Sequence, residues 1–110
     1  GVPDRVFFAT NKSSLTTASR ATLRKQATYL RKNKNLNVTI EGHADERGTR
    51  EYNLALGERR ANAARDYLMT YGISGKRISV ISYGKEKPVN PASSPLAWSQ
   101  NRRSVTVKVN

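Results

Sequence analysis

The stretch Thr49-Arg-Glu-Tyr-Asn-Leu-Ala-Leu-Gly-Glu-Arg-Arg-Ala-Asn-Ala-Ala-Arg-Asp-Tyr-Leu-Met-Thr-Tyr-Gly72 decides the fold. Thr49 is placed to cap a helix, and Glu51 lies in the first turn, where a carboxylate meets the positive end of the helix dipole. Gly72 supplies the left-handed stop after Tyr71. With Leu56 set at zero and 100° per residue, Tyr52 falls at about −40°, Ala63 at about −20°, Tyr67 at about +20°, Tyr71 at about +60° and Ala64 at about +80°. That is the face a helix buries. Arg60 falls at about +40° and Asn53 at about +60°, inside it rather than opposite. Glu58, Asn62, Arg65 and Met69 take the solvated side.

Working outward, Gly42-His-Ala-Asp-Glu-Arg-Gly48 is a polar loop leading into this helix. Before it, Asn37 to Gly42 alternates, with Val38 and Ile40 on one side, and predicts a strand. Arg5-Val-Phe-Phe8 predicts an earlier strand, and Asn11-Lys-Ser-Ser14 a turn-rich loop. Thr16 or Thr17 caps a helix to about Lys32, with Leu23, Ala27 and Leu30 as its inward stripe. Downstream, Arg77 to Ser82 predicts a third strand. Ser104 to Val109 predicts a fourth, in which Val105, Val107 and Val109 alternate. Between them Pro88, Pro91 and Pro95 mark a loop, with a short helix around Trp98. The order β-α-β-α-β-(short helix)-β predicts an α/β (α+β) two-layer sandwich: a mixed four-stranded sheet with helices packed on it. One domain over 1–110 is expected at this length.

Composition narrows the function classes. The chain of 110 residues has 20 Lys and Arg against 8 Asp and Glu, a formal net charge of +12, and no Cys. A disulfide framework, a zinc finger and a thiol nucleophile are therefore excluded. No apolar run approaches the length of a membrane span, and the first ten residues lack a signal-peptide layout. The chain as given is expected to be soluble, whether alone or as a piece of something longer. Residues 5–40 contain no acid but carry Arg5, Lys12, Arg20, Arg24, Lys25, Arg31, Lys32 and Lys34. Such a run suits phosphates, so a basic nucleic-acid-binding domain is the alternative function. Within the helix Tyr29 alone stands among the bases, too little aromatic surface for a stacking series, which favours a solvated helix face.

Arg60 is the residue in the wrong place. An inward guanidinium keeps its charge and needs a carboxylate or several acceptors. Asp45 in the preceding loop is the best-placed carboxylate, and Glu46 is the other. Two readings stand at this point. One is a structural Asp–Arg pair pinning the loop to the helix. The other is a partly open pocket with both charge signs side by side, suited to a zwitterion: Asp45 accepts from an ammonium and Arg60 grips a carboxylate. Asn53 can donate and accept beside them, and the helix N-terminus adds N–H groups for an anion.

The run Thr39-Ile-Glu-Gly-His-Ala-Asp-Glu-Arg-Gly-Thr-Arg-Glu-Tyr-Asn-Leu-Ala-Leu-Gly-Glu-Arg-Arg-Ala-Asn-Ala63 resembles the signature of the OmpA-like C-terminal domain, and within it the Pal-like lipoproteins. Ile81 to Pro88, Trp98 to Val107 and Val6 to Ser13 resemble the family's flanking segments. The resemblance implies non-covalent binding of peptidoglycan through the meso-diaminopimelate of its stem peptide. It puts the ligand-binding Asp on Asp45, the Arg on Arg60 and the Asn on Asn53. Contacts from Phe8, Thr10, Asn11, Arg47 and Leu56 are implied as well, with Arg102 near the pocket. It further implies a periplasmic domain that tethers the outer membrane to the cell wall, with TolB and other Tol-system proteins as partners. Membrane attachment would run through an N-terminal lipid anchor, which this sequence does not contain. Many relatives carry acids where this chain has Ala9 and Asn11, so first-loop contacts are expected through backbone.

No catalytic constellation is expected. There is no Gly-x-Ser-x-Gly nucleophile elbow and no Gly-rich phosphate loop. His43, Asp45 and Glu46 hold one His and adjacent loop acids, a poor tetrahedral set, so no metal or other cofactor is expected. His43 is expected to shape the loop by hydrogen bonding. Trp98 is expected in the core, or exposed to touch a partner.

Overall fold

A computed structural model describes residues 1–109; Asn110, the last residue of the expected domain, lies outside them. The elements run β1 (Arg5–Phe7), α1 (Thr17–Lys32), β2 (Val38–His43), α2 (Arg50–Thr70), a 3-10 turn (Gly75–Arg77), β3 (Ile78–Gly84), α3 (Pro95–Asn101) and β4 (Arg103–Lys108). This is the expected order, with boundaries moved by a residue or two.

The caps explain the helices. Thr16 Oγ1 accepts from Ser19 N at 3.0 Å, which settles the start of α1 between the two candidate threonines. Thr49 Oγ1 accepts from Tyr52 N at 3.1 Å. Gly72 takes φ +88°, a left-handed conformation that ends α2 at little cost.

The sheet order is β1-β4-β2-β3. β4 runs antiparallel to both β1 and β2, and β2 runs parallel to β3 through the α2 crossover. One core joins Leu23, Ala27 and Leu30 of α1 and Ala61, Ala64 and Leu68 of α2 to Val6, Val38, Ile40 and Ile78 of the sheet. Both long helices therefore cover one sheet face. In β4 the valines do not point into that core. Val105 is buried outside that cluster and Val107 is 39% exposed, while Ser104 and Thr106 take the helix side, where the Thr106 hydroxyl donates to Gln26 of α1 at 2.7 Å. Strand alternation shows two faces without saying which one the helices take.

The start of α2 is pressed onto β2 through glycine. A Cβ on Gly42 would run into the Gly57 carbonyl, and one on Gly57 would meet Ser82 Oγ and the Gly42 backbone. This close approach fixes where the first three turns of α2 stand relative to the loop after β2.

Candidate functional site

β2 ends at His43, and the chain then turns through Ala44–Gly48 to the Thr49 cap. Ala44 N donates to Gly84 O at 2.9 Å, fastening this loop to the end of β3. Lys85 Nζ donates to Gly48 O at 2.6 Å. Gly48 itself has φ +95°. On the far side, Trp98 Nε1 donates to Glu46 Oε2 at 2.7 Å, and the Arg47 guanidinium lies 4.1 Å from the centre of the Trp98 ring. Trp98 is thus a clamp on the loop, neither core nor a free surface aromatic. Glu46, the second candidate partner for Arg60, is committed to it.

The loop, the β1–α1 connection and the first turns of α2 enclose a cavity of about 480 Å³. Thr10, Asn11, Asp45, Arg47, Gly48, Tyr52, Asn53, Leu56 and Arg60 line it.

Arg60 is fully buried. Its Nε donates to Lys12 O at 2.9 Å, Nη1 to His43 O at 2.9 Å and Nη2 to Ala9 O at 3.1 Å. The Phe8 ring lies 5.3 Å from its guanidinium carbon. Burial first, then repulsion from Arg102, push its pKa down to about 10, against a smaller opposing pull from Asp45. The group remains a cation at neutral pH. Three of its five N–H groups are used, all on neutral carbonyls.

The reading of Asp45 and Arg60 as a structural ion pair is therefore corrected. Among the described residues no ion pair or hydrogen bond joins the two. Asp45 is buried and held instead by Arg47. Oδ1 accepts from Arg47 N at 3.0 Å and Arg47 Nε at 3.1 Å, and Oδ2 from Arg47 Nη2 at 2.8 Å. Arg102 Nη1 stands 3.5 Å from Oδ2. Burial works against ionisation of Asp45, but the Arg47 side-chain and backbone donors, with Arg102 behind them, outweigh it and hold its pKa below the ordinary value. The correction has a local cause: Arg47, two residues on, closes a tight ring over the carboxylate.

Asn53 is buried and spends Nδ2 on Arg47 O at 2.8 Å and Thr49 O at 3.0 Å. It ties the loop to the cap and does not donate freely beside the two charges. Thr10 Oγ1 accepts from Arg47 Nη2 at 3.3 Å. Asn11 has φ 58°, the left-handed region that Asn tolerates better than most residues. Leu56 forms an apolar wall.

Phe8 and Arg102 stand outside the lining. Phe8 is core, and its carbonyl accepts from Arg102 Nε at 2.8 Å. Arg102 reaches Asp45 from behind. Tyr52 and Gly48 line the cavity although the sequence did not single them out as site residues. Tyr52 is 41% exposed, one turn before Leu56 on the same side of α2; that spacing was the available signal.

His43 is also corrected. It is the last residue of β2, almost fully buried, and neither ring nitrogen has a hydrogen-bond partner among the described residues. It stacks on Tyr83 at 5.5 Å between ring centres, and Nε2 lies 3.6 Å from Glu41 Oε1. Burial, then the positive charges of Arg103, Lys87 and Arg5, push its pKa down to about 4.

Residues 7–102 match the OmpA family over nearly the whole chain. The chain belongs to the OmpA family. Within it, the chain is 59% identical to the peptidoglycan-associated lipoprotein of Rhizobium meliloti (strain 1021) over 106 residues, 96% of this chain and 60% of that protein. It is 55% identical to the one of Agrobacterium fabrum (strain C58), with the same coverage. The chain thus spans about 60% of the length of the curated relatives it matches. The crystal structure of the peptidoglycan-associated lipoprotein from Burkholderia pseudomallei superposes with a TM-score of 0.93 at 39% identity, covering 96% of this chain and 90% of that one. The C-terminal domain of Helicobacter pylori MotB shares the fold at 20% identity, with a TM-score of 0.90 over 97% of this chain and 84% of that one. The OmpA-family fold is the mixed sheet under two helices described above, as the sequence order predicted.

Proposed function

We propose that this OmpA-family domain binds peptidoglycan non-covalently, holding the meso-diaminopimelate of the stem peptide in the cavity between the β2–α2 loop and α2. In the full-length protein it tethers the outer membrane to the cell wall as the periplasmic part of a Pal-like lipoprotein. TolB and other Tol-system proteins are its proposed protein partners. The names of the similar lipoproteins support the polymer; the chemistry of the cavity supports the residue.

The observation that carries this reading is Arg60: a buried cation in a cavity wall whose hydrogen-bond partners among the described residues are neutral carbonyls. Such a charge is costly unless something anionic arrives. Its two remaining N–H groups suit a carboxylate. Diaminopimelate differs from lysine by a carboxylate at the end of its side chain, and we assign that carboxylate to Arg60. The ammonium beside it goes to Asp45. Arg47 and Arg102 hold the Asp45 oxygens, so the ammonium takes the place of the half-exposed Arg47 side chain, while Arg102 stays behind.

The test is titration with a purified diaminopimelate-containing muropeptide, with a lysine-containing one as control. Preference for the first supports the assignment; equal affinity removes Arg60 from the role of carboxylate reader.

A further inference from the structure

The basic run of α1 has a tertiary arrangement that its sequence does not disclose. Arg20, Arg24 and Arg31 fall within about 40° of one another on the α1 wheel and extend over about 16 Å of its length. They lie along the seam where α1 meets α2. Arg24 Nη1 donates to the Tyr67 hydroxyl at 3.0 Å, and Arg31 Nη1 to Tyr71 O at 2.9 Å. The Tyr67 and Tyr71 rings stand 5.3 Å apart, with their hydroxyls 3.4 Å from each other. Two aromatics from the end of α2 thus stand beside the arginines of α1, whose own helix carries only Tyr29.

No acid balances this seam from the α1 side, because residues 5–40 contain none. The acid nearest these tyrosines in sequence is Asp66, which is exposed and faces Arg65 at 3.9 Å. The segment that leads into α1 touches the candidate site. Lys12, just before α1, gives its carbonyl to Arg60 Nε, and Arg20 at the start of α1 is anchored by donating to Leu15 O at 2.8 Å.

We infer that the α1–α2 seam, built from Arg20, Arg24, Arg31, Tyr67 and Tyr71, is a second contact for the anionic peptide strands of the same cell-wall polymer. It takes free carboxylates of stems next to the one held in the cavity. The inference rests on the proposed reading of the cavity as a cell-wall peptide site. Two features select this occupant. The seam is cationic where the polymer carries carboxylates, and the segment leading into α1 reaches Arg60 in the cavity wall through the Lys12 carbonyl. A second weak contact on the same polymer raises retention through effective concentration without changing the affinity for a single stem.

The experiment compares insoluble sacculi with a soluble monomeric muropeptide across a salt series, using the wild-type domain, Arg24→Gln/Arg31→Gln, and Lys25→Gln/Lys32→Gln. The last variant removes the same formal charge from a side of α1 about 110° round from the seam. We expect the seam variant to lose about five- to tenfold in sacculus retention at low salt and to flatten its salt dependence. Its muropeptide affinity should stay within about twofold, and the lysine variant should follow wild type. Equal losses in both variants would reduce the effect to net charge and overturn the inference. So would unchanged sacculus retention, or binding of the seam to phosphatidylglycerol vesicles in place of sacculi. If wild type fails to bind the muropeptide yet loses sacculus retention only in the seam variant, the cavity reading fails and the seam stands. Thermal melts check folding. The single substitutions, each removing one exposed hydrogen bond, carry the test if the double variant melts early.

Discussion

Arg60 and Asp45 line the same cavity without touching: Arg60 is held by the carbonyls of Ala9, Lys12 and His43, and Asp45 by Arg47. The two charges are thus set by separate frameworks, and a ligand carrying both signs can meet both. Their removal should have different consequences. Arg60→Ala takes the guanidinium donor from three carbonyls, of which Ala9 O keeps Lys12 N at 3.1 Å, and opens volume against Phe8, so it should cost about 3–5 kcal/mol of stability. Asp45→Asn releases a half-exposed Arg47 to water and should cost about 1–2 kcal/mol. Denaturant melts measure both. A cost for Asp45→Asn as large as that for Arg60→Ala would mean the frameworks are not separate.

Loss of binding should not follow loss of stability. Asp45→Asn should abolish measurable muropeptide binding while the domain stays folded, because the ammonium loses its charged acceptor. Calorimetric titration of the folded variant checks this; undiminished affinity would return Asp45 to a purely structural role.

Selectivity has a magnitude. A bidentate, charge-assisted contact in a partly desolvated site is worth about 2–3 kcal/mol, so a lysine-type stem should bind roughly 30- to 150-fold more weakly than the diaminopimelate type. Competition between the two muropeptides on one sample reads the ratio directly.

His43 makes the fold sensitive to acid. Its pKa in the folded chain lies at about 4, below the ordinary 6.5, so between these values the unfolded chain binds a proton that the folded chain does not. Stability therefore falls as pH falls from about 6.5 to about 4, by about 3 kcal/mol, and this contribution is flat below that. Glu41 Oε1 lies 3.6 Å from the ring, and Arg103, Lys87 and Arg5 oppose its charging. His43→Phe keeps a ring against Tyr83 and should remove this slope. Melts of both proteins at pH 7 and pH 4.5 would reveal it; parallel losses in the two would place the titrating group elsewhere.

Gly42 should tolerate no side chain. A Cβ there meets the backbone of Gly57, which cannot rotate away as a side chain would. Gly42→Ala should cost about 3 kcal/mol by pushing α2 off β2. Because that contact also places Asn53, Leu56 and Arg60, muropeptide affinity should fall in the fraction that remains folded. A thermal melt together with a titration separates the two effects.

Trp98→Phe keeps an aromatic beneath Arg47 but loses the donor to Glu46. Stability should change by about 1 kcal/mol or less. The loop carrying Asp45 and Arg47 should exchange its amide hydrogens faster, which hydrogen exchange would detect.

The order of elements, a cap at Thr16 or Thr17, the cap at Thr49, the stop at Gly72 and the inward position of Arg60 were all legible in the sequence. Each depends on a local period or on a side chain acting within a turn of its own position. What Arg60 bonds was not legible. Its acceptors are backbone carbonyls of Ala9, Lys12 and His43, and every residue has such a carbonyl, so no letter of the sequence marks these three. The same holds for His43, which reads as a polar loop residue until Gly84 extends the pairing of β2 around it. It holds for α1 as well, whose arginines read as a bare solvated face because Tyr67 and Tyr71 arrive from a helix more than thirty residues away. Periodicity fixes which way a side chain faces on its own element; only the packing of elements far apart in the chain decides what it meets there.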